Sequence, residues 1–243
     1  MINIFILCYN EEALIRDTII HYNRLLPTAK ITIYDNYSTD NSVKIAKEMN
    51  CNVIQWERGE LLSNIKRARI RNSCWKDIKD GWIIVCDMDE WLCITTEDLE
   101  NETKLGTTIL KTKGYNMLAD SKCKLLTDVN LQNIMTGCDH GSKWMAFRPV
   151  FTEMKFVPGA HEIKPEPLEK IVYSKTIYHF KHNDMMGLPF YINKMKSSFE
   201  RTIEDRKVLM SIHYLNEEDK IVERFNRVMK TSRDLSSIFK KYS

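Results

Sequence analysis

The stretch "IIVCDMDEW", Ile83–Trp91, runs from apolar residues directly into three carboxylates, those of Asp87, Asp89 and Glu90. A short apolar run of this kind is typical of a buried strand in a parallel sheet. In open parallel sheets, ligands bind beyond the carboxyl ends of the strands. The stretch therefore predicts a strand that delivers acidic side chains to a ligand-binding edge.

Strands and helices alternate regularly before this stretch. Three apolar runs predict strands at residues 2–8, 30–35 and 52–56, and segments with helical spacing follow at 10–26, 38–49 and 61–79. We expect Asn10 to cap the first helix, and Ser38 or Asp40 to cap the second. This alternation predicts right-handed crossovers and an α/β fold, in which a mainly parallel central sheet is flanked by helices.

The alternation of predicted strands and helices is less regular after Trp91. The residue pattern predicts a short helix at 95–100, strands at 107–118, 143–151 and 171–180, a loop-rich segment at 121–141, and two amphipathic C-terminal helices at 188–210 and 216–242. A length of 243 residues suits a single domain.

Composition limits the classes of partner and location. The 36 basic and 33 acidic residues nearly cancel, so no nucleic-acid partner is indicated. Seven cysteines without a CxxC pair suggest neither a disulfide framework nor a zinc site. No apolar run approaches the roughly 20 residues of a membrane span. We expect a cytoplasmic protein; the basic C-terminal helices leave open a membrane-peripheral position or a homo-oligomer contact.

The spacing of the acidic residues has a chemical meaning. Side chains alternate along an extended segment, so Asp87 and Asp89 project together and Met88 points away. Adjacent carboxylates repel unless a cation lies beside them, and their oxygens suit Mg²⁺ or Mn²⁺ shared with a phosphate. The alternative is that these carboxylates only begin a solvated loop.

Four motifs in order resemble the nucleotide-sugar half of family 2 glycosyltransferases with the GT-A fold. They are "CYNEE" after the first strand, "YDNYSTDNS" after the second, "RARIRNS" in the third helix and "IIVCDMDEWL" at the fourth strand. The resemblance covers residues 1–92 and implies a GT-A (nucleotide-diphospho-sugar transferase) domain over 1–243. Residues 93–186 would then form the acceptor half, and 187–243 the C-terminal helices.

The resemblance also implies roles for residues on the donor side. Asp35 would accept a hydrogen bond from the nucleobase, with Asn36 where the family often has a second aspartate. Asp87 would lie near the ribose and the metal, and Asp89 would bind the Mn²⁺ or Mg²⁺ ion on the diphosphate. The remaining nucleotide-sugar-binding candidates are Tyr9, Asn10 and Arg71.

The acceptor side rests on two weaker elements. "VPGAHEI" resembles a histidine-glutamate element that follows the acidic motif in branches of this family, which implies Glu162 as the candidate general base and His161 as an orienting group. In "YHFKH" the two histidines are three residues apart and should face opposite ways, and His179 is the predicted third metal ligand. The implied reaction moves a sugar, with UDP favoured as the carrier, to a hydroxyl of a glycan, a lipid-linked molecule or another acceptor, with inversion.

Other classes fit the residues less well. In a haloacid dehalogenase-type phosphatase, threonine or valine usually lies two positions after the second aspartate, where this chain has Trp91. A nucleotidyltransferase with paired carboxylates is a more remote alternative. A dinucleotide-binding dehydrogenase is disfavoured because "CYNEE" lacks the glycine fingerprint. A sugar-nucleotide-binding or scaffold protein that has lost turnover remains the non-enzyme alternative.

Overall fold

The computed structural model describes residues 1–56, 63–120, 126, 129–208 and 210–242 of the chain. Its first part is a regular alternation of strands and helices, as predicted. The elements are β1 (Ile2–Cys8), α1 (Ile15–Leu25), β2 (Lys30–Asp35), α2 (Ser42–Glu48), β3 (Asn52–Gln55), α3 (Asn64–Ser73) and β4 (Trp82–Asp87).

These strands form the parallel centre of the sheet, in the order β4-β1-β2-β3. Every residue of β1 is buried, because helices and loops cover both faces of this central strand. The register sets Cys8 beside Asp35 and Leu7 beside Asp87, so the carboxyl ends of β1, β2 and β4 are level. The polar residues that follow these strands therefore meet at one edge.

The second part extends the same sheet and adds a separate two-stranded sheet. Its elements are β5 (Glu90–Cys93), α4 (Thr96–Lys104), β6 (Ile109–Leu118), β7 (Thr136–Gly141), β8 (Ala146–Phe147), β9 (Phe151–Glu153), β10 (Glu166–Pro167), β11 (Tyr173–Met185), α5 (Leu188–Arg201), α6 (Ile203–Lys207), α7 (Glu218–Thr231), β12 (Arg233–Asp234) and α8 (Ser236–Phe239). β8 joins β4 to β6 through antiparallel pairs, and β11 runs parallel to β6. The separate two-stranded sheet is formed by β9 and β10. The α/β fold with a parallel central sheet and flanking helices is thereby confirmed.

Apolar clusters cover both faces of the sheet. One contains Ile4, Ile6 and Ile84, and the other contains Phe5 and Val85, as expected for strands whose alternate side chains enter opposite cores. A third cluster lies under the two predicted C-terminal helices, α5 and α7, whose Tyr191 and Phe225 rings are 5.8 Å apart.

Four local expectations differ from the structure. α1 begins at Ile15 rather than near Asn10, because Asn10 has a positive φ of 51° and binds the loop after β2 instead. The last predicted helix breaks after Thr231, where β12 pairs with β7. β7 itself lies in the segment expected to be a loop, and the short β5 was not predicted. Leu61 and Leu62, placed in the third predicted helix, lie outside the described residues.

Among the described helices, none combines the length and the apolar character required to cross a membrane. The six cysteines that the structure describes are free thiols, in agreement with the absence of a disulfide pattern. Cys123 falls outside the described residues.

Candidate functional site

A cleft of about 700 Å³ opens at the edge where β1, β2 and β4 end. The turn after β4 supplies Asp87 and Asp89 to its lining, and Met88 between them is 1% exposed. Residues from β11 and α5 close the opposite side. The predicted ligand-binding edge is thus concave, as small-molecule sites usually are, and polar side chains contribute to its lining.

Asp87 is held by two arginines of α3. Arg67 Nη2 lies 2.6 Å from one carboxylate oxygen, and Arg71 Nη2 lies 2.7 Å from the other. Burial alone would raise the pKa of Asp87, but the two positive charges hold it below its usual value. Asp87 is therefore ionised and fixed in orientation.

The two arginines have different surroundings. Arg71, the residue selected from the sequence, is 2% exposed and is not among the residues that line the cleft. Arg67 lines the cleft. Arg71 therefore positions the Asp87 carboxylate, and its contact with a bound nucleotide stays a prediction. Of these two arginines, Arg67 is the one that lines the cleft.

Asp89 lies between two other positive groups. Lys194 of α5 contacts its Oδ2 atom, and His182 Nε2 of β11 is 3.5 Å from the same oxygen. Burial would raise the pKa of Asp89, whereas Lys194 and His182 hold it well below the usual range. The pKa of His182 is raised by Asp184 and Asp89 against the effect of its own burial.

Glu90 completes the acidic turn. Its side chain is 1% exposed, contacts Lys143 Nζ, and accepts a hydrogen bond of 3.0 Å from the backbone N–H of Asp87. A buried carboxylate without such partners would be costly, so the turn after β4 depends on Lys143. Glu90 had no assigned role in the sequence interpretation.

One group of donor atoms in the described chain fits a divalent cation. Ligand atoms of Asp89, Glu90 and His182 all lie within 4.8 Å of one another. His182 Nδ1 is 2.8 Å from the amide oxygen of Asn116, which can only accept, so Nδ1 carries the proton of the neutral ring. In the neutral ring Nε2 would be free to bind a metal ion, whereas in the charged ring, which Asp89 and Asp184 favour, Nε2 also carries a proton and faces Asp89. Two carboxylates and an imidazole are a suitable set for Mn²⁺.

His179 lies elsewhere. Its ring packs 5.6 Å from that of Tyr115 and 6.4 Å from that of Phe239, away from the cleft lining. Histidines three apart on β11 do face opposite ways, as expected, but it is His182 that faces Asp89. The selection of His179 as the third ligand stays a prediction, and its position outside the cleft lining does not support it.

Asp35 and Asn36 differ in their position relative to the cleft. Asp35 is fully buried, and its carboxylate accepts hydrogen bonds from the Ser38 hydroxyl, at 2.5 Å, and the Ser38 backbone N–H. It does not line the cleft, whereas Asn36 does. The side chain of Asn36 donates to the Trp56 carbonyl, at 3.1 Å. Asp35 therefore shapes the turn and Asn36 lines the ligand space, and the expected contact between Asp35 and a nucleobase stays a prediction.

The loops after β1 and β2 are bound to each other. The Asn10 side-chain oxygen accepts a hydrogen bond of 2.7 Å from the Thr39 backbone N–H. The Asn10 backbone N–H donates to the Ser38 hydroxyl at 2.9 Å. Glu12 accepts from the Asn41 backbone N–H at 3.0 Å. These contacts form a clasp between the two loops, and they explain why Asn10 is not a helix cap.

Tyr9 is at the cleft, as predicted, and its ring is covered by an arginine from α5. The Arg201 guanidinium carbon lies 3.1 Å from the centre of the ring. Arg201 Nη2 also donates to the side-chain oxygen of Asn36, at 3.1 Å. Tyr9, Asn36 and Arg201 therefore form one end of the cleft, and Asp89, His182 and Lys194 lie towards the other.

The two acceptor-side candidates are separated by the structure. His161 lines the cleft, and its Nδ1 is 2.8 Å from the Ser142 carbonyl, to which it donates. Glu162 is exposed and is not among the lining residues. The nomination of Glu162 as general base is thus not supported by its position.

Comparison with protein families gives a clear result for the segment that carries the acidic turn. Residues 3–99 match the model of glycosyl transferase family 2. The predicted resemblance and its GT-A fold class are confirmed by this match, which includes β1 to β4 and the Asp87–Glu90 turn. The comparison with curated proteins gives no match.

Several solved structures are similar to this chain at low identity. S. aureus TarS is 14% identical with a TM-score of 0.46, and the alignment covers 93% of this chain and 42% of TarS. Residues 1–349 of TarS with UDP-GlcNAc are 13% identical, with a TM-score of 0.46 and coverage of 93% and 71%. Mycobacterium tuberculosis glucosyl-3-phosphoglycerate synthase with Mn²⁺, UDP and glucosyl-3-phosphoglycerate is 19% identical, with a TM-score of 0.33 and coverage of 47% and 44%. This chain spans less than half of the length of TarS.

Several cleft residues were missed because they come from distant parts of the chain. Lys194 and Arg201 lie seven residues apart on α5, and their sequence pattern resembles any amphipathic helix. Of the two histidines in "YHFKH", the sequence prediction selects His179 rather than His182. The signal that could have separated it from His179 is its pairing position opposite Glu90, which appears only when β5 is recognised as a strand.

Proposed function

We propose that this chain is a metal-dependent glycosyltransferase that moves a sugar from a nucleoside-diphosphate sugar, with UDP favoured, to a hydroxyl acceptor with inversion. The observation that carries the proposal is the meeting of Asp87, Asp89 and His182 in one cleft at the carboxyl ends of the parallel strands. The family match of residues 3–99 supports the same reaction class.

Asp89, Glu90 and His182 would hold the metal ion. A bound divalent cation stabilises the negative charge that develops on the leaving nucleoside diphosphate. The two carboxylates are paired with Lys194 and Lys143, so these lysines keep the acidic pair stable without a metal. Mn²⁺ and Mg²⁺ both remain candidates.

In the proposed transfer, the acceptor hydroxyl oxygen attacks the sugar carbon as the bond from that carbon to the phosphate oxygen breaks. The leaving group departs as a nucleoside diphosphate, and the hydroxyl proton passes to a base. Arg67, fixed on Asp87 and open to the cleft, adds a permanent positive charge near the departing group. Tyr9 and Asn36 would contact the nucleoside.

Nucleotide binding is the first test. Thermal unfolding is followed with UDP, GDP, CDP and TDP, each with and without Mn²⁺, because a ligand that binds only the folded state raises the melting temperature. We expect one nucleotide to stabilise the protein in a metal-dependent way, and the corresponding nucleotide sugar to be hydrolysed slowly without acceptor. The absence of any nucleotide effect would contradict the proposal.

The same experiment separates the proposal from two alternatives. A protein that binds the nucleotide and never turns over its sugar would be a binding or scaffold protein. Release of inorganic phosphate from simple phosphate esters, without a nucleotide preference, would instead indicate a phosphatase.

A further inference from the structure

Helix α5 presents two positive side chains to the cleft. Lys194 and Arg201 both line it, and they are separated by seven residues, which is close to two helical turns. They therefore lie on the same face of α5, about 10 Å apart along its axis. This separation is of the order of the distance between the base and the terminal phosphate of an extended nucleoside diphosphate.

Lys194 stands at the acidic end of the cleft. Its side chain is 20% exposed and contacts the Asp89 oxygen that also faces His182. A lysine and a divalent ion cannot both bind this oxygen closely, because the two positive charges repel. A metal that binds Asp89 and His182 therefore releases the Lys194 ammonium, whose flexible stem allows it to move to a nearby phosphate.

Arg201 stands at the other end. Its guanidinium is stacked on Tyr9 and bonded to Asn36, but its buried Nε atom has no hydrogen-bond partner among the described residues. None of the ion pairs among the described residues involves Arg201. Burial lowers the pKa of Arg201 to about 10. A buried N–H without a partner is costly, so this end of the cleft is prepared for a hydrogen-bond acceptor.

We propose that α5 is a donor-binding element of the site: Arg201 contacts the nucleobase together with Tyr9 and Asn36, and Lys194 transfers from Asp89 to the diphosphate when the metal binds. A guanidinium suits the first role because it is planar, can stack on a ring and can donate to the oxygen or nitrogen acceptors on a base. An ammonium suits the second because it is a mobile point charge. This inference rests on the proposed function.

The test uses three methionine variants of the full chain. Lys194→Met and Arg201→Met remove the two charges, and Lys196→Met is the control, because Lys196 lies on the same helix but pairs with exposed Glu218 outside the cleft. Calorimetry measures the binding of uridine, UMP and UDP with and without Mn²⁺, and a guanosine series is measured in parallel. Electron paramagnetic resonance measures the binding of Mn²⁺ alone.

The two variants should have different signatures. We expect Lys194→Met to weaken UDP about tenfold or more, with uridine unchanged, and to bind Mn²⁺ alone more tightly because the competing charge is gone. Arg201→Met should weaken uridine, UMP and UDP by a similar factor. Lys196→Met should match the wild type, and Lys194→Arg, which retains the charge, should bind UDP better than Lys194→Met.

The outcomes distinguish a failure of the proposed function from a failure of the role proposed for α5. If the wild type binds neither nucleotide series, the proposed function fails and this inference fails with it. If the wild type binds UDP with Mn²⁺ and Lys194→Met and Arg201→Met bind it equally well, α5 is not a donor-binding element and the proposed function stands. Equal losses of uridine and UDP in Lys194→Met would indicate a general disturbance of the helix and would also overturn the assignment.

Discussion

Arg67 Nη2 and Asp87 Oδ1 lie 2.6 Å apart, one residue on α3 and the other at the end of β4. The pair is partly open to the cleft, whereas the second arginine on the same carboxylate, Arg71, is almost fully buried. One carboxylate thus joins a buried structural contact to a group that a ligand can reach. The two arginines can therefore be separated by experiment.

We expect Arg71→Met to lower the free energy of unfolding by about 3 kcal/mol, as is usual when one partner of a buried ion pair is removed. Arg67→Met should lower it less, because Arg67 is more exposed and Asp87 keeps Arg71. Chemical denaturation measures both values. Among the folded variants, Arg67→Met should lose more nucleotide affinity than Arg71→Met. A larger loss of nucleotide affinity in Arg71→Met would contradict the assignment.

His182→Ala should weaken Mn²⁺ binding by at least about tenfold, since even residues that only support metal ligands have effects of this size. His179→Ala is the matched control, because His179 lies three residues away on the same strand and packs among aromatic rings. Paramagnetic resonance titrations report the affinity without any need for turnover. Equal affinities in the two variants would remove His182 from the metal site.

Glu162→Gln should retain sugar transfer within about threefold of the wild type, although loss of a true general base usually costs about 100-fold or more. The reason is its exposed position outside the cleft lining. Steady-state assays with the nucleotide sugar identified above measure the effect on kcat. A large fall in kcat with unchanged donor binding would restore Glu162 as the base and show that the loop around it moves on acceptor binding.

Acid should destabilise the protein through His21. This histidine is 1% exposed, its Nε2 donates to the Leu92 carbonyl at 3.0 Å, and burial lowers its pKa to about 4. Below its usual pKa of 6.5 the unfolded chain takes up a proton that the folded chain does not, so stability falls as the pH drops from 6.5 towards 4.

The His21 contribution to this loss is limited to about 3 kcal/mol. Denaturation curves of the wild type and His21→Gln between pH 7 and pH 4.5 measure it, and the stability difference between them should change in favour of the variant at low pH. If the stabilities of the wild type and His21→Gln fall in parallel with pH, His21 is not responsible for the loss of stability in acid. The cleft histidines His161 and His182 are unchanged in both proteins and provide the common background.

The sequence was informative where local pattern determines structure. The four parallel strands, the acidic turn after β4 and the place of Tyr9 at the edge follow from apolar runs and from the rule that ligands bind at the carboxyl ends of strands. Neighbouring residues remained ambiguous. Asp35 and Asn36 are adjacent, and only the hydrogen bonds to Ser38 show which of them turns inward.

Long-range pairing could not be deduced in the same way. Lys194 reaches Asp89 across 105 positions of chain, and nothing in the periodicity of α5 distinguishes it from exposed Lys196. The choice between His179 and His182 likewise depends on the register of β11 against β5. Both features result from tertiary packing rather than from local residue preference.

The clasp between the loops after β1 and β2 has a thermodynamic consequence. Because Asn10, Ser38 and Thr39 already satisfy one another, the floor of the cleft is ordered before any molecule arrives. A ligand would then lose less of its interaction energy to the immobilisation of backbone. The adaptable parts of the pocket are the long side chains from α5, so selectivity could change through that helix while the floor beneath it stays the same.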